Sequence, residues 1–120
     1  MTGTRVTLSN GNLIQLSDYR SRAGRVFFDR QELRKILALY SIRVSRGEWR
    51  DYAIDVRDNF AAFSVFRHSR DWPLYVIAKL APSRSNKHGP YVVRAGERTL
   101  SRGRSLDDVL KALERALEPA

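Results

Sequence analysis

Residues 47–67 read GEWRDYAIDVRDNFAAFSVFR, and the alternation inside that stretch decides the fold. Tyr52, Ile54 and Val56 alternate with Ala53, Asp55 and Arg57, the two-residue period of a half-buried strand. Asp58 and Asn59 supply turn chemistry, and FAAFSVFR from 60 to 67 is a second strand. A two-residue hairpin sets Arg57 opposite Phe60, Val56 opposite Ala61, Ile54 opposite Phe63 and Tyr52 opposite Val65. One face then carries Tyr52, Ile54, Val56, Ala61, Phe63 and Val65. After the loop HSRDWP (68–73), LYVIAKL from 74 to 80 reads as a third strand that adds Val76, Ala78 and Leu80 to that face.

Upstream, Asp29 and Glu32 make a D-x-x-E capping box with Phe28 before it as a staple. Leu33, Ile36, Leu37, Tyr40 and Val44 follow at helical spacing, with Leu39 and Ile42 off the main stripe, which predicts a helix from about 30 to 46. Gly47 stands where a left-handed cap favours glycine, and Arg43 and Arg46 complement the negative end of the helix. Glu48 to Asp51 is therefore the turn into the first strand, with Trp49 packed beneath it and Arg50 paired to Glu48 or Asp51.

Downstream, the ten-residue connection APSRSNKHGP leads to YVVR (91–94), a turn at Gly96 and RTLS (98–101). Ser105 and Asp108 then cap a second helix, with Leu106, Val109, Leu110, Leu113 and Leu117 on one stripe before Pro119. Before the first helix, TRVTLSNGNLIQL reads as a hairpin about Asn10 and Gly11. The expected fold is α+β: an antiparallel sheet, a three-stranded meander plus a short hairpin, with two helices on one face. Residues 1–24 form an N-terminal arm or hairpin, and 25–118 a single domain.

The segments FDRQEL, GEWRDYAID, FSVFR, PLYVIAKLAP, GPYVV and RGRSLDDVL resemble those of an uncharacterised alphaproteobacterial family, domain of unknown function 2794. The likeness spans roughly residues 26 to 115. It implies a bacterial, intracellular, single-domain protein with a variable N-terminal arm, and it carries no activity or site residue with it.

The totals narrow the function. Among 120 residues, 22 Lys and Arg stand against 13 Asp and Glu, a net charge of +9. That balance favours a polyanion, because displaced counterions supply affinity without sequence reading. Seven basic residues lie between 79 and 104 (Lys79, Arg84, Lys87, Arg94, Arg98, Arg102 and Arg104) against Glu97 alone, and they are the expected contacts to RNA or DNA. The absence of cysteine excludes a disulfide framework and a thiolate metal site. No apolar run approaches the roughly 18 residues a membrane helix needs, so a cytoplasmic protein with no membrane partner is expected.

The other sheet face would carry Asp51, Asp55, Phe60, Phe66, Tyr75, Ile77 and Lys79. Phe60, Phe66, Tyr75 and Ile77 form an apolar patch there, to be covered by the N-terminal segment (Val6, Leu8, Leu13, Ile14, Leu16), by a second copy in a homodimer, or by stacked bases. A protein-interaction or self-associating regulatory module using that face is the alternative function. Catalysis finds less support. His68 and His88 flank a strand about 7 residues long, so they stand roughly 20 Å apart. No metal, nucleotide or nucleophile-elbow motif accompanies them, and no cofactor is expected. The α-β-β-β-α order is similar to that of double-stranded RNA binding domains, but Asp107 and Asp108 in the first turn of the second helix oppose an anion there.

Overall fold

The computed structural model describes residues 4–8, 25–68, 72–83 and 86–118. Its architecture starts at the capping box. Asp29 Oδ1 accepts from the Glu32 amide at 2.8 Å, and Glu32 Oε1 accepts from the Asp29 amide at 2.7 Å, starting α1 (Arg30–Ser45). Leu33, Ile36 and Leu39 are buried along this helix, as is Phe28 before it, while Ile42 is exposed. Gly47, at φ 74°, turns the chain out of α1, a conformation that costs a residue with a side chain.

Five strands follow one another in an antiparallel meander: β2 (Asp51–Val56), β3 (Phe60–Phe66), β4 (Tyr75–Leu80), β5 (Tyr91–Ala95) and β6 (Arg98–Gly103). The β2–β3 register is the expected one, with Val56 opposite Ala61, Ile54 opposite Phe63 and Tyr52 opposite Val65. A further strand, β1 (Thr4–Leu8), lies antiparallel along the free edge of β2, with Val6 opposite Ile54. Of the expected N-terminal hairpin the described residues hold the first strand, which pairs with β2. The turn at Asn10 and Gly11, and Leu13, Ile14 and Leu16, lie outside the described residues. The chain rejoins the sheet at Val26, whose amide donates to the Arg57 carbonyl at 2.9 Å.

The last helix, α2 (Leu106–Leu117), is capped by Ser105, whose hydroxyl accepts from the Asp108 amide at 3.3 Å. Leu106, Val109, Leu110 and Leu113 enter the same core cluster as Leu33, Ile36 and Leu39 of α1 and Tyr52, Ile54, Val56, Ala61, Phe63 and Val65 of the sheet. Both helices therefore cover one sheet face, the solution an apolar stripe on each helix requires.

On β4 the structure reverses the expected parity. Phe63 faces Ile77, Val65 faces Tyr75 and Ala61 faces Lys79, so Tyr75, Ile77 and Lys79 lie on the helix side and Val76, Ala78 and Leu80 on the second face. Side-chain size contributes to the choice. Ile77 is fully buried, and turning it outward would forfeit roughly 2–3 kcal/mol, whereas Ala78 has little to lose. The amide of Leu74 donates to the Val65 carbonyl at 2.8 Å and fixes that register at the end of the preceding loop. The apolar patch expected of Phe60, Phe66, Tyr75 and Ile77 is accordingly divided, two residues to each face.

Candidate nucleic-acid interface

The seven basic residues separate into three groups. Lys79 is engaged inside the fold, where its ammonium donates to Glu32 Oε1 at 2.9 Å and to the Phe27 carbonyl at 2.8 Å. Arg84 lies outside the described residues. The remaining five, Lys87, Arg94, Arg98, Arg102 and Arg104, are all exposed on or beside β5 and β6, at the outer edge of the sheet.

Local structure brings the loop from 81 to 90 onto that edge. Asn86 Nδ2 donates to the Ala81 carbonyl at 2.6 Å while its Oδ1 accepts from Arg102 Nη2 at 3.2 Å. Arg104 Nη2 donates to the Lys87 carbonyl at 3.0 Å, which places those two cations together. Gly89 makes the approach feasible: at φ 102° it sits so close to Gly103 that a Cβ would fall 2.3 Å from that residue's carbonyl carbon. At the other end of the hairpin, Arg94 Nη2 donates to the Glu97 carbonyl at 2.9 Å. Pairing of Val76 with Arg94 and of Val92 with Arg102 puts both arginines on the face away from the helices.

Each of these guanidinium bonds goes to an uncharged oxygen. None of the five cations forms an ion pair with a described residue, and Glu97 offers Arg94 only its backbone. Their charge is left for solvent, ions or a partner.

Two buried charges, Glu32 and Arg43, are instead engaged inside the fold. Glu32, 7 % exposed, accepts from the Asp29 amide, from Lys79 and from the Tyr91 hydroxyl, joining α1 to β4 and β5. Burial first, and then this bond to Glu32, raise the Tyr91 pKa above the ordinary tyrosine value. Arg43, 3 % exposed, donates through Nη1 to Glu48 at 3.0 Å and through Nη2 to Glu118 at 3.4 Å, while its Nε is buried with no partner among the described residues. Burial opposes its charge, but the two carboxylates prevail and its pKa is raised. The corner after α1 is thus held by Arg43 and Glu48; among the described residues the expected pairing of Arg50 with Glu48 or Asp51 is absent. In the sequence Glu32 reads as a cap and Arg43 as a dipole partner. Their spacing held a stronger signal, since Arg43 follows Ile36 and Leu39 on the buried stripe.

The aromatic residues are mostly structural. Trp49 is buried as expected, its ring centroid 6.4 Å from Tyr40 and 6.1 Å from Tyr75, and Tyr52 stacks on Phe63 at 4.6 Å. Tyr75 and Ile77 are therefore not part of an exposed interaction face. Phe66 is buried on the second face, and Phe60 lies with the Arg57 guanidinium 5.8 Å from its ring centroid. His68 and His88 are exposed, on the loops after β3 and before β5. Among the described residues no group of three His, Asp or Glu side chains is placed to hold a metal ion, and no helix is long and apolar enough to cross a membrane.

Two helices on one face of an antiparallel meander, with cations along its last strands that pair with no described carboxylate, define an α+β protein with a basic sheet edge. The chain belongs to the family described as protein of unknown function, DUF2794, which matches residues 26–110. No curated protein and no solved structure matches it.

Proposed function

We propose that the protein binds RNA or DNA without sequence preference, through the phosphate backbone, using Lys87, Arg94, Arg98, Arg102 and Arg104. The observation that carries this reading is their lack of internal counter-charge: five exposed cations on one sheet edge, none neutralised by a described carboxylate. Phosphates that replace their condensed counterions release those ions, which supplies affinity without base contacts. The bonds from Arg102 to Asn86 and from Arg104 to Lys87 hold the loop against β6, so less ordering is needed on binding. A homodimer through the second face finds less support, because Tyr75 and Ile77 face the helices and Phe66 is buried.

The test is fluorescence anisotropy with single-stranded and duplex oligonucleotides between about 50 and 300 mM salt, where log affinity should fall linearly with log salt. The double variant Arg98→Gln/Arg102→Gln should reduce that slope by about 0.7–0.9 for each phosphate it no longer neutralises, equally for unrelated sequences. Absence of binding at the lowest salt, or an unchanged slope in the variant, would exclude the proposal.

A further inference from the structure

Two further cations, unpaired among the described residues, line a cavity at the end of the β2–β3 ladder. Arg50 precedes β2 and Arg67 follows β3, so the terminal pair of that ladder, Asp51 opposite Phe66, brings the two arginines together. The Arg50 amide donates to the Phe66 carbonyl at 2.8 Å, which fixes the backbone from which Arg50 projects. Both residues line a cavity of about 510 Å³ together with Val44, Gly47, Trp49, Asp51 and His68. That volume lies within the roughly 300–1,000 Å³ of small-molecule sites.

We propose that this cavity binds a small phosphate monoester, with Arg50 and Arg67 on the phosphate and the ester's organic group against the Trp49 and Gly47 wall. Neither guanidinium makes a hydrogen bond or ion pair with a described residue, although Asp51 is on the same wall. Two planar forks of N–H donors on one cavity repel each other in the absence of an anion and match a doubly charged oxyanion. His68 lines the same cavity and carries a ring N–H. Trp49 is 4 % exposed and supplies a rigid wall, and no atom lies within 4 Å of the Cβ position at Gly47, so there is room for a substituent. Asp51 on the cavity wall and the C-terminal end of α1 bring negative potential beside the arginines. They favour a ligand whose charge is confined to one end over a polyphosphate. The cavity borders β3, three strand spacings or about 14 Å across the sheet from β6, and its ligand is a different one from the polymer bound there.

Phenyl phosphate titrated into the full isotope-labelled chain tests the assignment, followed by NMR at the Arg50 and Arg67 side-chain N–H groups, the His68 ring and the Trp49 indole. Saturable shifts with a dissociation constant of about 1 mM are expected, and benzoate should bind at least about tenfold more weakly. Arg50→Gln and Arg67→Gln should each weaken phenyl phosphate about tenfold, and Arg67→Lys nearly as much, since an ammonium lacks the planar fork. Arg98→Gln/Arg102→Gln should leave it unchanged. Both cavity arginines are exposed, and amide spectra of the variants report that the fold is kept. Shifts that do not saturate by about 20 mM, equal binding of benzoate, binding that survives Arg50→Gln/Arg67→Gln, or loss in the Arg98/Arg102 variant would each overturn the proposal. Any of these results would leave the oligonucleotide experiment to stand or fall separately.

Discussion

The charges beneath the helices and the charges along β6 obey opposite rules. Glu32, Lys79 and Tyr91 form a closed set: the ammonium and the phenol converge on one carboxylate that also caps α1. Arg43 does the same at the far end of that helix, gathering Glu48 from the following turn and Glu118 from the end of α2. On β6 and its neighbours, Arg94, Arg102 and Arg104 spend donors only on neutral oxygens, and Arg98 makes no bond to a described residue. Burial sets the difference. A charge removed from water needs a partner within the fold, whereas an exposed cation keeps its hydration and remains free to exchange it for phosphate. The first group should then govern stability and the second binding.

The largest effect should come from Glu32→Ala. It takes the shared acceptor from the Tyr91 hydroxyl and the Asp29 amide and leaves the Lys79 ammonium with the Phe27 carbonyl and no counter-charge. Removing one partner of a buried pair costs about 3–5 kcal/mol, and the partial exposure of Lys79 places this loss near about 3 kcal/mol in urea unfolding. Oligonucleotide affinity of the folded variant should be unchanged; a parallel loss would break the division between the two groups. Arg43→Ala comes next, at about 2 kcal/mol, because Glu48 and Glu118 are partly exposed and regain water when the guanidinium is gone. A smaller loss would mean that the unpartnered Nε already offsets much of what the two ion pairs contribute.

These residues also mark where sequence and structure part. The helices, the hairpin at Asp58 and Asn59 and the β2–β3 register were legible because caps, turn residues and two matching alternations agree at short range. Strand β4 was not. In YVIAKL both parities offer apolar residues, and Lys79 reads as a solvent-facing residue until Glu32, 47 residues earlier, is known to lie beneath it. Burial of Ile77 and the long-range pairing of Lys79 with Glu32 therefore decided together a question that periodicity left balanced. The basic edge was half legible. Clustering in sequence found Arg94, Arg98, Arg102 and Arg104 together with Lys87, but only the fold shows that Lys79 is withdrawn and that Arg50 and Arg67 share a cavity.

Tyr91→Phe gives the smallest effect and the sharpest use of pH. At neutral pH it removes one hydrogen bond to a buried carboxylate, a loss of about 1–2 kcal/mol. Above neutrality the direction of titration matters. Burial raises the pKa of Tyr91, Tyr52 (to about 12) and Tyr40 in the folded chain, with Glu32 adding to the rise at Tyr91, Tyr40 at Tyr52 and Asp51 at Tyr40. A group that holds its proton more tightly when folded contributes fully below its unfolded pKa of about 10, and that contribution is lost as pH climbs through the folded value. The wild-type chain should therefore lose stability steadily above about pH 10, and Tyr91→Phe should lose it less steeply, since one of the three shifted phenols is gone. Equal alkaline slopes would show that Tyr91 ionises as it does in the unfolded chain, and would remove the phenol from the closed set around Glu32. Glu32 would then hold Lys79 and the start of α1 without help from β5.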